Sequence, residues 1–248
     1  MRPFRTPWAL AAALLLTACG VADQPAAPRP PSGAGRLVLG LREIPGKPSV
    51  SIGSALPRVS LYGDRRLIMA DGRSGALQLA TVHPLTSGRF KKVYEDAYAA
   101  RRAASRNSAP PDAVDAGTLV LRLGTEHGLD RVQTPARSKG PLTALDESLV
   151  PSNWPASAFS SAPTPYVPAR IAVIASGTEP GTAADRPWPL APLEGPCTVL
   201  DGALRLRAEA LARGATTETR WSSRGRVVRL TFRPLLPDET DCGAINRL

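Results

Sequence analysis

The pattern of apolar residues predicts an α+β protein, with antiparallel sheets and one helix packed against them in each half of the chain. Three observations carry this expectation. Short alternating apolar runs bounded by turn residues recur along the chain. Apolar residues fall at helical spacing around 90–98 and again around 204–211. In each half a hairpin pattern follows the helix, and Pro84-Leu85 and Pro189-Leu190 precede the two helices, a weak sign of internal duplication.

Taken in order, Leu37, Leu39 and Leu41 alternate with Val38 apolar between them, which predicts a strand buried on both faces. Arg58 to Met69 reads as a hairpin about Gly63-Asp64, because that pair tolerates the positive φ angles of a tight turn. Asp71-Gly72 marks a second turn. Phe90, Val93, Tyr94, Ala97 and Tyr98 then recur at helical spacing, while Lys91 with Glu95 and Lys92 with Asp96 form four-apart charge pairs on the wet side. Arg101 and Arg102 suit the negative end of that helix. A proline-bearing loop from Ser105 to Ala116 leads to a strand at Thr118–Leu123, a turn at Thr125–Gly128 and a returning strand at Leu129–Thr134.

Pro151 to Pro168 is a Pro/Ser/Ala-rich connection between a subdomain at 36–150 and a second at 169–248. Ile171 to Ala175 then predicts a buried strand, and Asp201 an N-cap for a helix that carries Leu204, Ala208 and Leu211 and stops at Gly214. Thr217, Thr219 and Trp221 share one side of the next strand. Ser222 to Gly225 turns it back, and Val228, Leu230 and Phe232 line one face of its partner.

The first 35 residues stand apart from this pattern. Arg2 and Arg5 precede an apolar run of nine residues, Trp8 to Leu16, and Leu16-Thr17-Ala18-Cys19 follows. A bilayer-spanning helix needs about 20 apolar residues, so the order reads as an export signal over 1–18 rather than a membrane span. Leu16 to Cys19 resembles the lipobox of bacterial lipoproteins. That resemblance implies a diacylglycerol thioether on Cys19, cleavage before it, and a location at the outer face of the cytoplasmic membrane, with membrane lipid as the one partner identified. Residues 19–35 then form the lipidated cysteine and a flexible tether, since Val21 to Gly35 holds Pro25, Pro28, Pro30 and Pro31 with no aromatic residue. As a polyproline-like spacer it would reach roughly 45 Å.

The chain carries 31 basic and 21 acidic residues. Removing 1–18 takes Arg2 and Arg5 from the basic total and leaves a net of +8. The excess is spread along the chain with only four lysines, so a generally basic surface ranks above a dedicated polyanion site, and no specific nucleic-acid partner is expected. With Cys19 lipidated, Cys197 and Cys242 remain as an even pair in an exported protein, which predicts a disulfide between them. Closing that loop stabilises the fold by about 4 kcal/mol in the chain-entropy model.

Three motifs, Val59-Ser60-Leu61-Tyr62-Gly63-Asp64, Tyr166-Val167-Pro168 leading into Ile171-Ala172-Val173, and Arg233-Pro234-Leu235-Leu236-Pro237-Asp238-Glu239 with Cys242, resemble those of an actinobacterial family of exported lipoproteins of unknown function. Arg65 departs from the pattern, standing where glycine is expected after the Gly-Asp turn. The family implies an exported location and carries no activity to transfer.

Chemistry-bearing motifs are few. Gly40 to Pro48 is not a phosphate-binding loop, because five residues separate Gly40 from Gly46 and Pro48 replaces the needed hydroxyl. No Gly-x-Ser-x-Gly elbow or paired-cysteine metal motif occurs. His83 and His127 stand alone, and Asp238, Glu239 and Asp241 read as a solvated turn paired at the surface with Arg229 and Arg233 rather than as a calcium site. No catalytic residue, metal ligand or cofactor site is assigned. The expectation is a membrane-anchored binding or envelope-associated module whose protein or polymer partner is unidentified. A cell-envelope hydrolase or other exported enzyme is the second reading and a solute-binding lipoprotein the third.

Overall fold

The computed structural model describes residues 26–46, 52–106, 117–136, 138–177, 183–193 and 195–246. The expected signal peptide, Cys19, the start of the tether and residues 107–116 lie outside the described residues. The class is α+β and mostly sheet. In chain order the elements are β1 (Leu37–Ile44), β2 (Val59–Tyr62), β3 (Arg66–Ser74), β4 (Leu77–Pro84), α1 (Ser87–Arg106), β5 (Thr118–Thr125), β6 (Gly128–Pro135) and α2 (Pro141–Ser148). There follow β7 (Thr164–Pro165), β8 (Arg170–Gly177), β9 (Arg186–Pro187), β10 (Cys197–Asp201), α3 (Gly202–Arg213), β11 (Arg220–Ser223), β12 (Arg226–Pro234) and α4 (Cys242–Asn246).

Rather than a sheet in each half, the strands form one mixed 12-stranded sheet with the main order β10-β8-β12-β4-β3-β2-β1-β5-β6. The halves meet where β12 runs parallel to β4 at Phe232 and Leu77; every other neighbouring pair in the main order is antiparallel. β1 is bonded on both sides, to β2 and β5, and its first five residues are buried. The alternation of its leucines with Val38 reflects this central position.

Helices α1, α2 and α3 cover one face, while Ile245 of α4 packs on the other against Ala172 and Ile174. On the first half, Val93, Tyr94, Ala97, Ala100 and Ala104 of α1 and Leu142 and Leu145 of α2 pack against β1, β2, β3 and β5. Thr86 begins α1, its hydroxyl accepting from the Arg89 N–H at 3.4 Å. The charge pairs Lys91–Glu95 and Lys92–Asp96 form on the wet side as expected, and Arg101 reaches Asp130 on β6 at 2.8 Å. On the second half, Ala208 and Ala212 of α3 pack with Trp188, Trp221, Leu230 and Phe232, and the Trp188 and Trp221 rings meet edge to face at 5.6 Å. The opposite face carries Tyr62, Ile68, Ala80 and Val82 under Leu56, Tyr166 and Leu236.

Several expectations are corrected. The turn after β3 lies at Gly75-Ala76, not Asp71-Gly72, which sits in a bulge of β3. Gly75 has φ +61°, and any Cβ there would fall 2.4 Å from the Ala215 carbonyl oxygen, so the α3 end fixes the turn. In α3 the buried side chains are Ala208 and Ala212, while Leu204 is exposed. Helix α2, opened by Pro141 at its first turn, had no place in the sequence reading. The 151–168 connection is not free chain: the N–H groups of Thr86 and Ser160 bond to Ala158 and Pro84 carbonyls, Tyr166 N–H bonds to Ala80, and β7 pairs with β4.

The described part of the expected tether, 26–35, also departs from a solvated spacer. Ala27 packs against the helical-face core, and the Arg66 Nη2 donates to the Ala34 carbonyl at 3.2 Å. A Cβ at Gly63 would lie 2.6 Å from the Pro31 carbonyl oxygen, and one at Gly124 would lie 2.9 Å from the Pro31 ring. The segment is a strap laid across the strand ends at Gly63, after β2, and Gly124, near the end of β5, two glycines that leave it room.

Candidate functional site

Polar side chains collect on the sheet face away from the long helices. Cross-strand register places Val82, Ile68, Ser60, Gly40 and Arg122 in one row across β4, β3, β2, β1 and β5. Paired residues share a face, so the guanidinium of Arg122 rises beside a position with no side chain. Arg42, two residues beyond Gly40, lines the same recess with Arg122, Asp238 and Glu239.

The chain after β12 crosses this face and is held by a buried ion pair. Arg233, at 0% exposure, donates from Nη1 and Nη2 to the two oxygens of Glu239 at 2.7 Å each, and from Nε to the Ala55 carbonyl at 3.3 Å. The Leu236 N–H adds a bond to Glu239 Oε2 at 2.8 Å. Bidentate geometry with the remaining lone pairs satisfied is the condition under which a buried pair is tolerated. The Tyr62 hydroxyl donates to Asp238 Oδ1 at 2.6 Å, and the Tyr166 hydroxyl to the Leu235 carbonyl at 2.8 Å.

Burial governs the titration of this cluster. It pulls the Arg42 guanidinium down to about 10, aided by the neighbouring charge of Arg233. It pushes the Asp238 carboxyl above its ordinary 3.8, against the lowering effect of the Tyr62 hydrogen bond and of Arg122. Tyr62 is pushed well above 10 by burial and by Asp238, and Tyr166 up to about 12, chiefly by burial.

Beside the cluster opens a groove of about 880 Å³. The strap with Arg29, Pro30 and Pro31 forms one wall and the β5–β6 turn with Glu126 the other; Leu37, Arg122 and Gly124 line it between them, and Asp238 lies on its border. Arg29, Arg36 and Arg122 make no ion pair among the described residues. Guanidinium groups present planar donor forks suited to carboxylate or phosphate oxygens. The hydroxyls on the lining are those of Ser32 and Thr125, and no histidine belongs to it.

The residues singled out from the sequence fall elsewhere. Cys197 and Cys242 form the expected disulfide, with Cα atoms 6.0 Å apart, joining the edge strand β10 to α4. His83 lies on β4 beside the Phe159 ring at 5.9 Å, its pKa lowered by burial, whereas His127 sits in the exposed β5–β6 turn 3.3 Å from Glu126. The acidic turn is corrected: Glu239 is buried on Arg233, Asp238 accepts from Tyr62, and Asp241 caps α4 through the Ala244 N–H at 2.7 Å. Each carboxylate thus has its own partner, and Arg229 pairs with Glu218 instead, at 3.3 Å. Among the described residues no three His, Cys, Asp or Glu side chains converge as a metal site. The groove arginines escaped sequence reading because they come from the strap and from β5, about 90 positions apart, with no motif linking them.

Compared with known proteins, the chain matches no family model, no curated protein and no solved structure.

Proposed function

We propose that this chain is an extracytoplasmic binding module, held at the outer face of the cytoplasmic membrane by a lipid on Cys19, and a member of the actinobacterial exported lipoprotein family its motifs resemble. The observation that carries the binding reading is the walled groove, lined by three arginines that make no ion pair among the described residues. The Cys197–Cys242 bond supports an oxidising location, where such pairs form and persist. A solute carrier would be expected to bind between two lobes, whereas here one sheet runs through both halves and the groove opens at the ends of its central strands. A hydrolase would need a nucleophile beside a base, whereas the Thr125 hydroxyl donates to the Gly128 carbonyl at 3.2 Å and Asp238 accepts from Tyr62.

Because the strap begins by Ala26, seven peptide steps link it to Cys19, and the anchor lies within about 25 Å of the folded body. The reach of roughly 45 Å expected from a free spacer shrinks accordingly. The two halves also read as a distant duplication, since in each an antiparallel strand pair precedes the long helix and a hairpin follows it.

Membrane fractionation tests the anchor. The native chain is expected in the membrane fraction and released by detergent but not by salt, while Cys19→Ala leaves the protein in the soluble fraction. Equal partition of both forms would remove the anchor from the account.

A further inference from the structure

We infer that the groove binds a soluble chain of oxyanions, phosphate or carboxylate groups repeated along an extended polymer, through Arg29, Arg36 and Arg122. The inference rests on the binding-module reading and names its ligand class. Three features carry it. First, Arg29 and Arg36 come from the strap and Arg122 from β5, so the fold gathers into one groove cations that are dispersed in sequence. Second, none of the three makes an ion pair among the described residues, Arg122 acting on Asp238 only through space, whereas Arg58, Arg66, Arg101, Arg205, Arg220 and Arg233 are each paired. Third, Gly35, Gly124 and Gly128 leave the groove without bulky side chains at those positions, so that a chain can lie along it.

Two acids also line the groove, Glu126 in the β5–β6 turn and Asp238, the latter engaged by Tyr62. They set spacing rather than cancel the site: an oxyanion chain contacts the arginines and is repelled from the Asp238 end. Removing that charge therefore tightens binding. Arg122 is half-buried while Arg29 and Arg36 are exposed on the strap, so engagement of all three favours an extended soluble chain over a flat headgroup surface.

The probe is inorganic polyphosphate, titrated into the mature chain with Cys19→Ala at low and physiological salt, beside orthophosphate and phosphatidylglycerol vesicles. Polyphosphate is expected to bind more tightly than orthophosphate, and more weakly as salt rises. Arg122→Ala and Arg36→Ala are each expected to weaken binding about tenfold, the loss of one charge-assisted contact. Asp238→Asn is expected to tighten it. Lys91→Ala with Lys92→Ala, which removes two cations from the wet side of α1, is expected to leave it unchanged. Since Arg122 is half-buried, the exposed Arg36 variant keeps the test decisive if Arg122→Ala misfolds. Failure to bind polyphosphate, an equal loss in the double lysine variant, or binding to vesicles alone would overturn the inference. Because this chain carries no lipid, the result stands apart from fractionation: a failed anchor leaves groove binding intact, and a failed groove leaves the anchor intact.

Discussion

At the scale of single residues, the Arg233–Glu239 pair decides most about the face away from the long helices. Removing one partner strands a desolvated charge, so Arg233→Ala and Glu239→Ala are each expected to destabilise the fold by about 3–5 kcal/mol in denaturant titrations. Replacing both with apolar residues should cost less than the two single losses added together. Asp238 supplies a pH signature. Its folded pKa is raised above the ordinary 3.8, so the native state holds a proton that the unfolded chain releases first. The stability this contributes is present below pH 3.8 and is lost as pH rises through the folded value. Relative to Asp238→Asn, the wild-type chain should lose stability across that window; a difference that stays flat from pH 3 to 7 would contradict the shift. None of this was legible in the motif Arg233 to Glu239, which sequence reasoning placed at the surface. A run of charged and proline residues looks solvated until a neighbouring strand and segment are known to close over it. Arg65 shows the reverse case: at φ 70° it takes the left-handed position where glycine was expected, closing the β2–β3 turn through its N–H to the Tyr62 carbonyl at 2.9 Å.

At the scale of elements, what could be read depended on whether local pattern or distant packing set the boundary. β1, α1 and the β5–β6 hairpin follow alternation or helical spacing, whereas β11 begins only at Arg220, leaving Thr217 and Thr219 before the strand and pairing Ser222 and Ser223 within it. The β3–β4 turn, the inward face of α3 and the course of 151–168 are set by contacts made from other parts of the chain, which no local pattern records. The strap belongs with these. Its prolines and small residues look like a spacer, yet Gly63 and Gly124 are the docking points. Gly63→Ala should therefore lift residues 31–33 off the sheet, and limited proteolysis should cut the strap faster than in the wild-type chain. Unchanged cleavage would show that the strap is held elsewhere. Reduction of the disulfide acts on the β10 edge and α4, and is expected to lower stability by about 4 kcal/mol.

At the scale of the molecule, the two halves share one sheet through β4 and β12, and the Ala76 N–H bonds to the Ala212 carbonyl of α3 at 2.8 Å across the same seam. Amides of β2 and β8 should accordingly exchange through one opening free energy, whereas two separate values would mark independent units. This continuity also explains why the groove belongs to the fold as a whole: the strap that begins near the anchor, the central strands and the segment after β12 all border it. The central claim is that export and lipidation place this surface outside the cell. Intact mass of the native chain, measured with and without reductant, tests it most directly. A mature chain beginning at an acylated Cys19, and gaining two hydrogens on reduction, is the predicted result. An unacylated chain, or one still carrying residues 1–18, would contradict it.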